Sequence, residues 1–104
     1  MANFELQFTW DKRKNEANYR KHGITFEEAV FVFDDPFHLT IQDREVEGES
    51  RCQTIGIIPI LRLVLVAHTE TENEGEEITR IISARKATRS ERRIYGSQIK
   101  NRHI

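Results

Sequence analysis

One segment of the chain restricts the possible folds more than any other. Residues 61–68 are apolar at nearly every position of one strand face and at most positions of the other. A strand with two apolar faces is expected in the middle of a sheet, where both faces are covered. Strand-like patterns also occupy residues 37–42, 51–58 and 78–84. We therefore predict a sheet in which residues 61–68 form a central strand and helices pack against the sheet.

Short charged connections separate these predicted strands. Residues 43–50 and 70–77 are typical of charged hairpin loops, and Pro59 lies in the connection to the central strand. Consecutive strands that are joined by short turns run in opposite directions. The predicted sheet is therefore antiparallel.

The N-terminal part of the chain predicts a strand followed by a helix. Residues 4–10 alternate strictly between apolar and polar side chains, which is typical of a half-buried strand. Asp11 can accept hydrogen bonds from the free amides at the start of a helix. Gly23 can end that helix in the left-handed conformation. Together these two signals predict a helix over residues 12–22.

Capping boxes mark two further helices. Thr25 and Glu28 form one such motif, and the helix that it opens is expected to end before Pro36. Thr88 and Glu91 form a second motif, which opens the last helix. The predicted order is β-α-α-β-β-β-β-α, with a twisted antiparallel sheet packed with helices. The predicted fold class is α+β.

Length and composition favour one small intracellular domain. The 104 residues fit a single domain over residues 1–104. Cys52 is the only cysteine, so the chain can form no internal disulfide, which suits a reducing cytosol. No apolar run approaches the roughly 20 residues of a membrane span. The first residues lack the features of a signal peptide. We expect a cytoplasmic protein that does not interact with membranes.

Charge is distributed unevenly along the chain. Thirteen of the sixteen lysines and arginines lie in residues 12–21 and 80–102, and nine of the seventeen acidic residues lie in residues 43–49 and 70–77. The formal net charge of −1 hides this separation. If the two basic stretches meet on one face, they form a cationic surface. The alternative is that both are solvated helix exteriors.

The available residue types argue against several kinds of site. The four histidines are not paired at metal-ligand spacing and Cys52 has no cysteine neighbour, so we expect no metal and no cofactor. The glycines are scattered and form no phosphate-binding loop. The chain contains no Gly-x-Ser-x-Gly motif. Arginine, lysine, histidine and glutamate remain as the groups that can carry chemistry.

This set of side chains suffices to cleave RNA without a metal. The 2′-hydroxyl of the substrate is the nucleophile, and the protein supplies a base for its proton and an acid for the leaving oxygen. Donors around the phosphate stabilise the charge that develops on its oxygens. The planar fork of arginine suits that task. Because DNA lacks the 2′-hydroxyl, such a site would act on RNA only.

The first candidate groups lie before the predicted central strand. Lys21 and His22 end the first helix, where cations are also favoured simply by the helix dipole. Arg51 begins a strand, and its alternative role is that of a solvated strand-end residue. His38 and His68 lie in predicted strands, where hydrogen-bonded structural roles compete with that of a general base.

The second candidate groups surround the end of the last strand. Arg85 ends that strand and can point into a groove beside the final helix. Glu91 has an alternative role in the capping box, and Arg92 has one as a solvated helix residue. Trp10 ends the first strand, where it can belong to the core or stack on a base.

Several separated strings of the chain occur in the order and spacing of one known family. They are Phe8-Thr9-Trp10-Asp11, Lys21-His22-Gly23, Phe26-Glu27-Glu28-Ala29, Val32-Phe33-Asp34-Asp35-Pro36, residues 80–88 and Glu91-Arg92-Arg93-Ile94-Tyr95. Lys14, Asn18, Arg51 and Ile55-Gly56 fit the same pattern. Over about residues 8 to 96 the chain resembles the BrnT toxins of bacterial toxin–antitoxin pairs.

The resemblance implies a fold and an activity. It implies a RelE-like ribonuclease that arrests translation. It also implies a BrnA-like antitoxin in a complex with two copies of each protein, which contacts operator DNA only through the antitoxin. The residues to which it assigns roles are Arg51, Arg85, Glu91, Lys21, His22 and Trp10.

One departure from the family pattern opens a second interpretation. Many relatives carry an arginine after the central strand, whereas this chain has Thr69-Glu70-Thr71-Glu72. Arg80 is a possible substitute as a phosphate ligand. The alternative function is a non-catalytic, decayed toxin that binds its antitoxin and acts in autorepression of the operon. A small RNA-binding protein unrelated to toxins is a third interpretation.

Overall fold

A computed structural model describes residues 5–102 of the chain, so the predicted strand position of Phe4 lies outside the described residues. The elements are β1 (Glu5–Thr9), α1 (Lys12–His22), α2 (Phe26–Ala29), a 3₁₀ helix (Val30–Asp34), β2 (Leu39–Val46), β3 (Glu49–Ile58), β4 (Arg62–Asn73), β5 (Glu76–Lys86) and α3 (Arg89–Arg102). The α+β class is confirmed.

The five strands form one sheet in the order β1-β5-β4-β3-β2. The predicted central strand is β4, which lies in the middle of that order. Strands β2 to β5 pair antiparallel, as predicted. The prediction of an entirely antiparallel sheet was wrong for β1, which pairs parallel with β5. No hairpin joins these two strands, so no tight turn dictates their relative direction.

The strands are longer than their sequence patterns predicted. Residues 43–50 and 70–77 were expected to be loops, but strands occupy most of both stretches. The reversals occur at Glu47 and Gly48 and at Glu74 and Gly75, all with positive φ. Two successive left-handed residues make a tight turn whose twist matches the flanking strands. Acidic side chains in these stretches therefore belong mainly to strands.

The second helix is shorter than expected and tightens into the 3₁₀ helix. Its capping box is present, because Thr25 Oγ1 accepts from the Glu28 amide at 3.1 Å and Glu28 Oε1 accepts from the Thr25 amide at 3.0 Å. The 3₁₀ helix lies close against β3 at Gly56. A Cβ atom at Gly56 would lie 3.0 Å from the carbonyl oxygen of Val32. Glycine at this position therefore allows the two elements to approach.

The sheet separates two apolar clusters. On one face α2 and the 3₁₀ helix pack over the strands, and the buried members are Ile24, Phe26, Ala29, Val32, Ile58, Val64, Val66, Ile81 and Ala84. On the other face Tyr95 of α3 packs with Ile55 and Leu65. We call this second side the α3 face. Strand β4 contributes to both clusters, which agrees with its two apolar faces.

A buried asparagine joins α1 to the sheet. Asn18 Nδ2 donates to the carbonyl oxygens of Ala84 at 2.8 Å and Ile24 at 2.9 Å. Asn18 Oδ1 accepts from the Ala84 amide at 3.0 Å. These bonds satisfy the polar atoms of a side chain that is only 7 % exposed. They hold the end of β5 in place next to α1.

A carboxylate anchors α3 to the opposite face. Asp35 Oδ2 accepts from Tyr95 Oη at 2.5 Å and from the Ile57 amide at 2.8 Å, and Asp35 Oδ1 accepts from the Phe37 amide at 2.9 Å. Burial acts to raise the pKa of Asp35, but these hydrogen bonds outweigh burial and lower it. Burial and the bond to Asp35 both raise the pKa of Tyr95. The pair fixes where α3 crosses the sheet.

Candidate active site

Arginines from three strands line up in one row across the sheet. Arg44 pairs with Arg51, Arg51 pairs with Thr69, and Thr69 pairs with Arg80. Side chains of directly opposed residues have Cβ atoms roughly 5 Å apart on the same face. We call Arg44, Arg51, Thr69 and Arg80 the arginine row.

The arginine row lies on the α3 face of the sheet. Alternate residues of a strand point to the same side, so Arg51 shares a face with Ile55. By the same rule Thr69 shares a face with Leu65. Ile55 and Leu65 both pack with Tyr95. The row therefore faces the same side as the final helix.

A cavity of about 160 Å³ lies along the row. Its lining comes from strands β2 to β5 and includes Asp43, Arg44, Arg51, Gln53, Thr69 and Ile82. The guanidinium groups of Arg44 and Arg51 make no hydrogen bond or ion pair with any residue of the described range 5–102. Like charges directly opposite each other on neighbouring strands destabilise a sheet. An anion between these arginines would relieve that repulsion.

Thr69 supplies an unsatisfied donor in the middle of the row. The residue is 2 % exposed, and its Oγ1 has no hydrogen-bond partner among residues 5–102. A buried hydroxyl without a partner costs about 1–3 kcal/mol. Native proteins seldom keep such a group without a reason. Its position between Arg51 and Arg80 makes it a candidate contact for a ligand oxygen.

Arg80 of β5 is held in place from β3, which lies two strands away on the other side of β4. Its Nη2 donates to Glu49 Oε1 and Oε2, both at 3.1 Å. The Arg80 side chain is 41 % exposed, so part of the guanidinium still faces solvent. Glu49 can thus orient Arg80 while leaving it accessible.

Arg85 and Glu91 form a separate pair further along the α3 face. Arg85 Nη1 and Nη2 donate to the two oxygens of Glu91 at 2.8 and 2.9 Å. The bond from Arg85 lowers the pKa of Glu91 from 4.5 to about 2, with help from the Thr88 amide. The same bond raises the pKa of Arg85. Glu91 is therefore ionised at neutral pH, and both of its oxygens are engaged.

The structure places Arg51 and Arg85 on the same face but at different levels. Arg85 pairs with Leu65, whereas Arg51 pairs with Thr69. Four residues of strand correspond to roughly 13 Å. The arginines at the level of Arg51 are Arg44, directly opposite it, and Arg80, two strands away.

The remaining candidate residues lie away from the row. His22 and Arg92 line another cavity, at the opposite end of β4. Lys21 is exposed in the last turn of α1. Trp10 is half-buried and packs edge-on against Phe26 with ring centroids 6.2 Å apart. Trp10 therefore contributes to the core on the face opposite the row.

Glu70, which departs from the family pattern, also faces away from the row. Its Oε1 lies 2.8 Å from His68 Nδ1, and its carboxylate accepts from Thr79 Oγ1 at 2.8 and 2.9 Å. His68 Nε2 lies 2.7 Å from Thr54 Oγ1. Thr54 is fully buried, so this network is structural. The Glu70 carboxylate contacts His68 and Thr79 on that face, so its negative charge does not face the arginine row.

The described part of the chain offers neither a metal site nor a membrane span. Residues 5–102 contain no group of three or more histidine, cysteine or acidic side chains placed to hold a metal ion. None of the described helices is long and apolar enough to cross a membrane.

The model of one protein family, described as the ribonuclease toxin BrnT of type II toxin–antitoxin systems, matches residues 10–91. The chain belongs to this family. It is therefore a ribonuclease toxin of a type II toxin–antitoxin system, and its partner is an antitoxin. The matched range contains the arginine row as well as Arg85 and Glu91. No curated protein matches the chain.

Sequence reasoning missed several groups around the site of this BrnT-family toxin. Arg44 and Asp43 fall in a stretch that was expected to be a loop, and Thr69 carries no charge that would draw attention. Only the strand register brings these residues next to Arg51. The alternation of apolar and polar residues ends at Gln42, so no sequence signal indicates that β2 continues over Asp43 and Arg44.

Proposed function

We propose that this toxin cleaves RNA at the arginine row without a metal ion. The observation that carries the proposal is the unpartnered hydroxyl of Thr69 between Arg51 and Arg80. Two cations and a neutral donor on one face can surround a phosphodiester group. These groups stabilise the negative charge that develops on the phosphate oxygens during the reaction.

In this proposal Arg51 and Arg80 hold the scissile phosphate. Their Cα atoms lie two strands apart, roughly 10 Å, so two long side chains can reach one phosphate from either side. Thr69 Oγ1 donates to a non-bridging oxygen. Glu49 orients Arg80 through its two hydrogen bonds. The arginines supply the positive charge that a metal ion supplies in other nucleases.

Asp43 is the best-placed proton acceptor in this scheme. It lines the cavity beside Arg51, and its carboxylate has no partner among the described residues. It takes the proton of the 2′-hydroxyl as that oxygen attacks phosphorus. The bond to the 5′-oxygen breaks, and that oxygen takes a proton from solvent. The products are a 2′,3′-cyclic phosphate and a 5′-hydroxyl end.

Arg85 and Glu91 serve a positioning role in the same proposal. Glu91 has a pKa of about 2 and two engaged oxygens, which suits an anchor better than a proton carrier. The pair joins the end of β5 to the start of α3. His22 and Lys21 lie at the end of α1, so we assign them no proton transfer.

The biological context follows from family membership. We infer that the antitoxin is BrnA-like, that the complex contains two copies of each protein, and that it contacts operator DNA through the antitoxin. Cleavage of RNA would arrest translation in the cytoplasm. The orientation of Glu70 away from the row supports an active toxin over a decayed one, because its negative charge does not face the arginines.

A cleavage assay tests the proposal directly. Antitoxin-free toxin is incubated with RNA in excess chelator, and Arg51→Gln is compared with Arg13→Gln, which changes an exposed arginine of α1. We expect cleavage by the wild type and Arg13→Gln, and a loss of about 10²-fold or more in Arg51→Gln. A substrate with 2′-deoxyribose throughout should stay intact. Full activity of folded Arg51→Gln, or cleavage that disappears in chelator, would overturn the proposal.

A further inference from the structure

A second cationic cavity lies at the other end of β4. Its volume is about 290 Å³. Four of its lining residues are basic, and each comes from a different element: His22, Arg62, Lys86 and Arg92. The other four are apolar, namely Ile24, Leu61, Leu63 and Val64. We call this cavity the basic pocket.

The charges of the basic pocket are only partly neutralised by the protein. Arg62 donates to the Gly23 carbonyl oxygen at 3.3 Å and lies 4.0 Å from Glu28. The side chains of Lys86 and Arg92 make no hydrogen bond or ion pair with any residue in the described range. No residue of the lining is acidic. Cations that converge without carboxylates create a positive potential that attracts anions.

The apolar part of the lining narrows the class of ligand. Apolar walls lower the local dielectric constant and so strengthen the attraction between cations and an anion. They also offer contacts to the sugar or base of a nucleotide. A phosphate that carries a nucleoside fits such a surface better than a small free anion.

The basic pocket and the arginine row lie at different levels along the same two strands, β4 and β5. Lys86 pairs with Val64 on β4, five residues from Thr69 at the level of Arg51. Five residues of strand correspond to roughly 17 Å. Arg85 lies between the two places, at the level of Leu65. Lys86 points to the face opposite the row, as Ala84 and its own strand partner Val64 do. A single strand that crosses the row therefore reaches the pocket by passing Arg85 and continuing around the end of β5.

We propose that the basic pocket binds a second phosphate of the same RNA strand, a few nucleotides from the scissile one. This inference rests on the proposed RNA cleavage at the arginine row. Lys86 and Arg92 provide the main charge, and Arg62 and His22 frame the pocket. The pocket adds affinity for RNA that is long enough to span both places.

The test measures binding of a non-cleavable RNA, methylated at every 2′-hydroxyl, to the full-length toxin by fluorescence anisotropy. The double variant Lys86→Gln/Arg92→Gln is compared with Arg13→Gln/Arg20→Gln, which removes two exposed cations of α1. For a long RNA we expect a five- to twenty-fold loss of affinity only in the pocket variant. The slope of log K against log salt should fall by about 0.7, which corresponds to one phosphate contact on a single strand.

Length dependence separates this inference from the proposed function. A trinucleotide that reaches only the arginine row should bind equally to the wild type and the pocket variant. The proposal would be overturned if the wild type and the pocket variant also bound the long RNA equally. It would likewise be overturned if the α1 control lost as much affinity as the pocket variant. Loss of antitoxin binding with unchanged RNA binding would assign the pocket to protein instead. If the proposed cleavage at the arginine row is wrong, the result is different: the wild-type protein binds RNA but does not cleave it.

Discussion

Arg80 and Arg85 point to the same face of β5 although five positions separate them on one strand. In a regular strand an odd separation places two side chains on opposite faces. The register shifts within β5, because Ile81 and Ser83 pair with successive residues of β4 and Ile82 has no partner. The extra residue of this bulge reverses the alternation. Both arginines are therefore available on the α3 face.

The two arginines should respond differently to the same substitution. Arg80→Gln removes a proposed phosphate contact, so we expect a large loss of cleavage. The Glu49 side chain that it leaves behind is 30 % exposed and can be solvated, so the change in the free energy of unfolding should be small. Arg85→Gln leaves the Glu91 carboxylate without its partner, so we expect a loss of about 1–2 kcal/mol in the free energy of unfolding. Urea denaturation and the cleavage assay measure the two effects on the same proteins.

A double-mutant cycle is the control for this difference. In Arg85→Gln/Glu91→Gln both charges are absent, so the stability loss should be smaller than the sum of the single losses. Additive losses would contradict a direct contribution of the pair. Retained cleavage in Arg80→Gln would remove Arg80 from the site.

Thr69→Val should change stability and activity in opposite directions. Valine has a similar shape and removes a buried hydroxyl that has no partner, so the free energy of unfolding should stay constant or rise by about 1 kcal/mol. Cleavage should fall by about 10²-fold, because one donor to the developing charge is lost. Thr69→Ser keeps the hydroxyl and should keep most of the activity. Unchanged cleavage by Thr69→Val would exclude the proposed contact.

The pair of Arg85 and Glu91 predicts a contribution to acid sensitivity. The pKa of Glu91 is lower in the folded protein, about 2, than its ordinary value of 4.5. The unfolded chain therefore binds the proton first as pH falls, and the contribution is complete above pH 4.5 and lost toward pH 2. We expect the stability difference between wild type and Glu91→Gln to shrink by about 2 kcal/mol between neutral pH and the acid range.

Urea titrations at several pH values check this sign. Glu16→Gln, which changes an exposed glutamate of α1, is measured alongside as the control for removing one negative charge. A difference for Glu91→Gln that grows on acidification would contradict the assignment.

Local signals were enough to predict the helices. Asp11 accepts from the amides of Arg13 and Lys14, and Gly23 has a φ of 69° where α1 ends. Thr88 and Glu91 make the reciprocal bonds of the second capping box at 3.2 and 2.8 Å. Each of these motifs depends only on residues within one turn of helix, so the sequence alone identifies it.

The arrangement of the site depends on contacts between distant strands. Arg51 and Arg80 meet at one level because of the register of β3, β4 and β5 and because of the bulge at Ile82. Nothing near Ile82 in the sequence indicates an extra residue. The direction of Glu70 likewise follows from its place on β4 rather than from its acidic neighbours. Residue types at the site could therefore be predicted, while their grouping could not.

The hairpin between β3 and β4 contains a conformational strain that substitution should relieve. Ile60 and Leu61 have φ values of 69° and 51° and are each 88 % exposed. The turns at residues 47–48 and 74–75 have glycine at their second left-handed position, whereas this turn has none. A left-handed residue with a side chain costs roughly 1–2 kcal/mol. Ile60→Asn/Leu61→Gly should therefore raise the free energy of unfolding by about 1 kcal/mol, after the entropy of the added glycine is counted.

Urea denaturation measures the gain, and Gly75→Leu is the matched control, which should lower stability by a similar amount. If the asparagine–glycine variant were less stable than the wild type, the exposed Ile60 and Leu61 side chains would have to make stabilising contacts that outweigh the backbone strain.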